Sequence, residues 1–187
     1  MKKLAVIFPG IGYTCDRPLL YFGRKLAEAE GYEVLCLEFK NLPRNSRGNR
    51  SLMAECAKGA MKQTKEQLSG VDFASYDQVV FLAKSIGTIA AGRYAADYLP
   101  TARLVLYTPL EATFEKLPHN HAGHAIAFLG ESDPWSDVAR VKHLAANAKI
   151  PLYSYEDCNH SLETGDALKN IDILKDVMEK TKQFLRK

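Results

Sequence analysis

Val79-Val80-Phe81-Leu82-Ala83-Lys84-Ser85-Ile86-Gly87-Thr88 is an apolar, strand-like run that stops at a serine flanked by small residues. A helix-forming stretch follows it. A strand passing through Ala83-Lys84-Ser85-Ile86-Gly87 into a helix needs a sharp turn, which lifts the serine hydroxyl out of the backbone into a strained, exposed position. Ala83 and Gly87 are small because strand and helix crowd together two residues either side of the serine. Ser85 is therefore a candidate nucleophile, provided a base and an orienting acid arrive from elsewhere in the chain.

Working outward, six short apolar runs recur: Leu4–Phe8, Glu33–Phe39, Gln78–Ala83, Arg103–Thr108, Ala125–Gly130 and Pro151–Tyr155. Most are continuous rather than alternating, the pattern of strands covered on both faces of a parallel sheet. Between them lie stripes of helical spacing. Leu19, Phe22, Leu26 and Ala29 form one, Met53, Ala57, Ala60 and Thr64 a second, and Ile89, Ala90, Tyr94 and Ala95 a third. Leu168, Ile171, Leu174, Val177, Met178 and Leu185 mark a terminal helix. Alternation of strand and helix implies a doubly wound, mostly parallel six-stranded α/β sheet with right-handed crossovers and helices on both faces. With no repeat, low-complexity tract or linker, residues 1–187 read as one domain.

Ligands of such sheets bind beyond the carboxyl ends of the strands, near the point where strand order reverses. Chemically capable residues gather there. Ser85 follows the third run, Asp133 the fifth (Leu129-Gly130-Glu131-Ser132-Asp133-Pro134-Trp135) and His160 the sixth (Asp157-Cys158-Asn159-His160-Ser161). An imidazole can take the serine proton and return it to a leaving group, and a carboxylate can hold the imidazole in the required tautomer. Pro9-Gly10-Ile11-Gly12-Tyr13, after the first run, can bring backbone N–H groups close to a substrate. The N–H of Ile11 or Gly12 and that of Ile86, which opens the helix after Ser85, are the candidate oxyanion donors. Tyr13 and Trp135 are candidate walls of the substrate pocket.

With these residues in place, the chain resembles an α/β-hydrolase. Ala83-Lys84-Ser85-Ile86-Gly87 stands at the nucleophile elbow, and Ser85, Asp133 and His160 occur in the family's order. The elbow departs from the family by starting with alanine rather than glycine. The resemblance spans the chain, lacks the family's two leading antiparallel strands, and so implies strand order 2-1-3-4-5-6. Larger members often insert a lid after the fourth of these strands. Here only Pro109 to His124 fills that gap, so an open, capless site is expected. The resemblance implies serine hydrolysis of a small ester or thioester, with no cofactor. The rival reading is a non-catalytic binding protein of the same fold.

Other features set bounds. Apolar content of 47%, charged content of 25% and a net charge of +3 belong to an ordinary globular chain. Arg44, Arg47 and Arg50 form the one basic cluster, either a solvated loop or a docking point for an anionic substrate group. It lacks the aromatic residues and basic excess of a nucleic-acid surface. Gly10-x-Gly12 has Cys15 where a dinucleotide fingerprint needs a third glycine, leaving Glu38 as slender support for a nucleotide or flavin domain. His119, His121 and His124 could bind a metal but lack a nearby carboxylate or cysteine, so no metal is expected. Glu111, Glu131 and Asp137 compete with Asp133, and His143 with His160. Lys84, beside the nucleophile, is expected in a solvated or ion-paired setting, or as a source of positive potential. The first apolar run is too short for an export signal, no run reaches membrane-spanning length, and Cys15, Cys36, Cys56 and Cys158 show no paired spacing. A cytoplasmic location is the expectation.

Overall fold

Near-continuous apolar runs form strands that are covered on both sides. The computed structural model describes residues 1–115, 117 and 123–187. Strands β1 (Lys3–Phe8), β2 (Tyr32–Cys36), β3 (Gln78–Lys84), β4 (Arg103–Tyr107), β5 (Ala125–Gly130) and β6 (Leu152–Tyr155) make one sheet. Its order is β2-β1-β3-β4-β5-β6, and every pairing is parallel. Five α-helices join the strands: α1 (Pro18–Ala29), α2 (Arg50–Leu68), α3 (Ile86–Tyr98), α4 (Val138–Asn147) and α5 (Ala167–Leu185).

The period-two alternation of each strand divides the core into two layers. Val6, Phe8, Phe81, Leu106 and Leu129 face a layer completed by α2, α3 and α4. Ile7, Leu82, Val105, Tyr107 and Phe128 face a layer completed by α1 and α5. The same alternation sends Lys84, two residues after Leu82, toward the α1/α5 side. The chain leaves β1 for β2 on one side and returns to β3 on the other, so strand order reverses between β1 and β3. A crevice opens there at the carboxyl ends of the strands.

Local chemistry sets the helix starts. Pro18 stands in the first turn of α1, where a missing N–H costs nothing. Asn49, Asp137 and Asp166 cap α2, α4 and α5, accepting N–H bonds from Leu52, Arg140, and both Leu168 and Lys169. Helix α3 has no side-chain cap and starts directly from the turn at Ser85. Its buried Gly87, Ala90, Ala91 and Gly92 let it lie close on the sheet.

Two expectations change. Phe22, Leu168 and Ile171 share the helical spacing of core residues, yet all three are exposed. Phe22 lies outside the core and rests edge-on against Tyr21, ring centroids 5.0 Å apart. The first turns of α5 run past the covered layer, which holds Ile173 and Leu174 only partly and Val177 fully. The second strand stops at Cys36 rather than Phe39. Leu37 still donates its N–H to the Ile7 carbonyl (2.9 Å), but the next residues pair with side chains of α2 instead of a strand. Gln67 bonds the backbone of Glu38 at both N–H and C=O, and Gln63 does the same for Lys40.

The start of α3 and the end of β1 approach each other closely. A Cβ on Gly87 would lie 2.5 Å from the Pro9 carbonyl oxygen and 2.6 Å from that of Phe8. In an open helix, alanine is favoured over glycine by about 1 kcal/mol. Here Gly87→Ala is expected to destabilise by about 1–3 kcal/mol, the usual result of overpacking. Urea denaturation checks this: an unchanged or raised midpoint would contradict the contact.

Candidate active site

Ser85 has φ 56° and ψ −123°, a conformation a residue with a Cβ adopts only under constraint. Such strain is worth on the order of 1–3 kcal/mol and persists only when the surroundings over-determine it. Several contacts do so. The Ser85 N–H donates to the Tyr107 carbonyl (3.1 Å), and the Ser85 carbonyl accepts from the Thr88 N–H (2.8 Å). The Thr88 hydroxyl bonds the same carbonyl (2.6 Å) and meets the Thr113 hydroxyl, also at 2.6 Å, tying the turn to the segment after β4.

His160 sits in the loop after β6, and Asn159 shapes that loop. Its Oδ1 accepts the N–H of Ser161 (2.7 Å) and of Glu163 (3.3 Å), an Asx turn closed by Asn159 N–H to the Glu163 carbonyl (2.9 Å). The imidazole Nε2 lies 2.7 Å from Ser85 Oγ, and Nδ1 lies 2.7 Å from Asp133 Oδ2. An ionised carboxylate can only accept, so Nδ1 carries the proton, and Nε2 accepts from the serine hydroxyl. Asp133 is buried, and its other oxygen takes the Trp135 N–H at 2.8 Å. Trp135 stacks on the imidazole, centroids 5.5 Å apart at 27°. Burial holds the His160 pKa below the ordinary histidine value. The charge of Lys84 adds to this and the Asp133 bond opposes it.

The rivals are engaged elsewhere. Glu111 accepts the Asp137 N–H (2.8 Å), Glu131 binds Lys142 and Ser154, and Asp137 caps α4. His143 bonds Asn147 on α4. His119 and His121 lie outside the described residues, and His124 is exposed before β5.

Gly10 to Tyr13 form a tight turn closed by Gly10 N–H to the Tyr13 carbonyl (2.9 Å) and Tyr13 N–H to the Gly10 carbonyl (3.3 Å), with Gly12 at φ 67°. A methyl on Gly10 would lie 3.3 Å from Ser85 Cβ, so this turn borders the serine. Closing the turn uses the N–H groups of Gly10 and Tyr13 and leaves those of Ile11 and Gly12 between them. The N–H of Ile86, in the first turn of α3, has no intrahelical acceptor.

Two residues sit where the sequence did not put them. Tyr13 does not border the groove beside the site. It packs on the α1/α5 side, where its hydroxyl accepts the Leu19 N–H (3.0 Å). Lys84 is neither solvated nor ion-paired. It is 1% exposed, with Nζ 4.9 Å from the centroid of the Tyr13 ring, and no hydrogen bond or salt bridge reaches it among the described residues. Burial pulls its pKa from 10.5 to about 7, against the pull of Asp133 and Glu163. The alternation Val80, Leu82, Lys84 was the available signal, since it puts residue 84 on a core-facing side of β3. On the other side of the sheet a groove of about 740 Å³ opens, with Met53, Ala57, Ile89, Leu110 and Trp135 among its walls. Arg50 lines it from the first residue of α2, while Arg44 and Arg47 are exposed away from it.

No protein-family model and no curated protein matches this chain. Solved structures do match. An α/β serine hydrolase without a lid from Xanthomonas campestris shares 13% identity at a TM-score of 0.65, over 98% of this chain and 81% of that one. Est1E from Butyrivibrio proteoclasticus shares 10% at 0.68, over 100% and 89%. A Bacillus cereus carboxylesterase shares 18% at 0.61, over 98% and 89%. Six parallel strands in the order β2-β1-β3-β4-β5-β6, a strained turn after β3 and similarity to these proteins over almost the whole chain identify its architecture as the α/β-hydrolase fold.

Proposed function

We propose that this protein is a serine hydrolase that cleaves a small ester or thioester through an acyl-enzyme. The observation that carries the reading is the unbroken hydrogen-bond chain from buried Asp133 through His160 to Ser85 Oγ, both links 2.7 Å, ending on a strained turn. Likeness to hydrolases at low identity supports it at the level of the fold.

Ser85 Oγ attacks the carbonyl carbon while its proton passes to His160 Nε2. The negative charge that develops on the carbonyl oxygen is met by the N–H of Ile86 and that of Ile11 or Gly12. Fixed donors of this kind act strongly where water is excluded. His160 then gives the proton to the departing alkoxide or thiolate, leaving the acyl group on Ser85. A water repeats the steps, and His160 is again first base, then acid. Asp133 keeps Nδ1 protonated and stabilises the imidazolium. No helix among the described residues is long and apolar enough to cross a membrane, and the four cysteines are free thiols. A cytoplasmic setting fits the thiols.

Ser85→Ala is expected to abolish fluorophosphonate labelling and to lower p-nitrophenyl acetate turnover by on the order of 10⁴-fold or more. Labelling that survives in this variant would remove Ser85 from the reaction. A wild type that is neither labelled nor active on a broad ester panel would favour the binding-protein reading.

Neutral His160 is the working base, so kcat/KM should fall as pH drops through its pKa, with a midpoint below about 6.5. Lys84→Met removes a charge that pushes this value down. The acid limb is expected to move to higher pH, and an unmoved or lowered midpoint would refute the coupling.

The same variant tests the burial of Lys84. Its folded pKa of about 7 is below the unfolded value, so between pH 7 and 10.5 the unfolded chain binds more protons. Wild-type stability therefore rises with pH over that window. Lys84→Met should gain more melting temperature at pH 6 than at pH 10, and equal gains would count against a buried amine.

A further inference from the structure

The groove beside the triad carries a charge pattern that neither the fold nor the hydrolytic chemistry requires. Arg50 and Lys58 of α2, Arg93 of α3 and Arg140 of α4 face it together with the acids Glu111, Glu115 and Asp137. Each acid already has a donor. Glu111 takes the Asp137 N–H at 2.8 Å, Asp137 takes the Arg140 N–H at 3.0 Å, and Glu115 meets Arg93 at 3.5 Å. Among the described residues the charged heads of Arg50, Lys58 and Arg140 have no acid within salt-bridge reach, and Arg93 Nε is buried with no acceptor. Helices α2 and α4 thus direct unpaired positive charge into one apolar-walled groove, and α3 adds Arg93, whose Nε is still without an acceptor.

The groove adjoins the reacting centre through Trp135. Trp135 is one of its walls and also stacks on His160. Ile89 and Arg93 both line it and lie four and eight residues beyond Ser85 on α3. At 1.5 Å per residue, that places them about 6 Å and about 12 Å along the helix from the nucleophile. Along α3 the wall is apolar at Ile89 and cationic at Arg93.

We propose that the substrate is an ester or thioester bearing a distal anion, a carboxylate or phosphate joined to the scissile carbonyl by an apolar chain that spans on the order of 10 Å, the distance from the serine to the cationic part of α3. The apolar segment lies along Met53, Ala57, Ile89, Leu110 and Trp135, and the anion is received by Arg50, Lys58, Arg93 and Arg140. Arginine suits such a group because its planar fork bonds two oxygens at once. The substrate class rests on the hydrolase reading above, whereas the anion site does not.

Trp135 is the only tryptophan in the chain and reports on the groove directly. Its fluorescence is titrated in the Ser85→Ala protein, which cannot turn over, with monomethyl suberate and with neutral dimethyl suberate. The monoanion is expected to bind at least about tenfold more tightly, an advantage that shrinks as salt is raised. Arg50→Glu and Arg140→Glu should each remove most of that advantage. Both residues lie in first helical turns, where an acid is favourable, so these variants are expected to fold. Equal affinity for the two compounds, or an advantage that survives both variants, overturns the anion site. In the wild type, p-nitrophenyl hydrogen suberate should exceed p-nitrophenyl octanoate in kcat/KM by about tenfold or more. Equal turnover overturns the substrate class while the hydrolase reading stands. Selective binding without fluorophosphonate labelling overturns the hydrolase reading and the substrate class together, and leaves an anion-binding groove.

Discussion

The close meeting of β1, β3 and α3 at Gly87 is the constraint on which the rest of the structure depends. The helix can follow the strand without a linker only because position 87 presents no side chain to the carbonyl oxygens of Phe8 and Pro9. That approach holds the helix start against the end of β1 and forces Ser85 into its positive-φ conformation. It also brings the turn at Gly10–Tyr13 beside the serine, because that turn continues directly from the strand being touched. A hydroxyl, a free helix N-terminus and a second set of backbone N–H groups therefore share one place. Strain at a single residue is held by the packing of two strands and a helix, the usual way a folded chain keeps an unfavourable local conformation where it is useful.

Burial is the second organising effect, and it acts on three charges at once. Asp133 lies inside the protein with both oxygens engaged, by His160 and by the Trp135 N–H. His160 is stacked beneath an indole and kept neutral near physiological pH. Lys84 is buried on the opposite side of β3 from the groove, with an aromatic face as its nearest partner. Interactions among such groups are stronger than in water because solvent does not screen them. The charge on Lys84 therefore acts on His160, and the two do not behave as independent residues.

The fold was legible because its decisive signals are local. Continuous apolar runs such as Val79–Ala83 mark strands covered on both faces, and the small residues around Ser85 mark a turn that admits no bulk. Given those strands, topology alone placed the residues after β3, β5 and β6 on one edge. Some misreadings came from treating periodicity as burial, and another from reading side-chain direction off loop position. Phe22, Leu168 and Ile171 have core spacing, but a helix that overhangs its sheet leaves such residues in water. Tyr13 follows a candidate donor loop in sequence, yet the tight turn rotates its ring to the other side of the sheet.

The amino-acid order alone therefore specified the α/β layering and the three loops that carry Ser85, Asp133 and His160, while the strand order came from the resemblance to the α/β-hydrolases. The layering and the loops depend on nearest-neighbour chemistry and on the handedness of parallel connections. Only the three-dimensional arrangement decided that Lys84 is buried without an ionic partner, and that Arg50, Lys58, Arg93 and Arg140 face one groove. Those outcomes depend on which helix faces meet across the sheet, a long-range property that spacing along the chain does not encode.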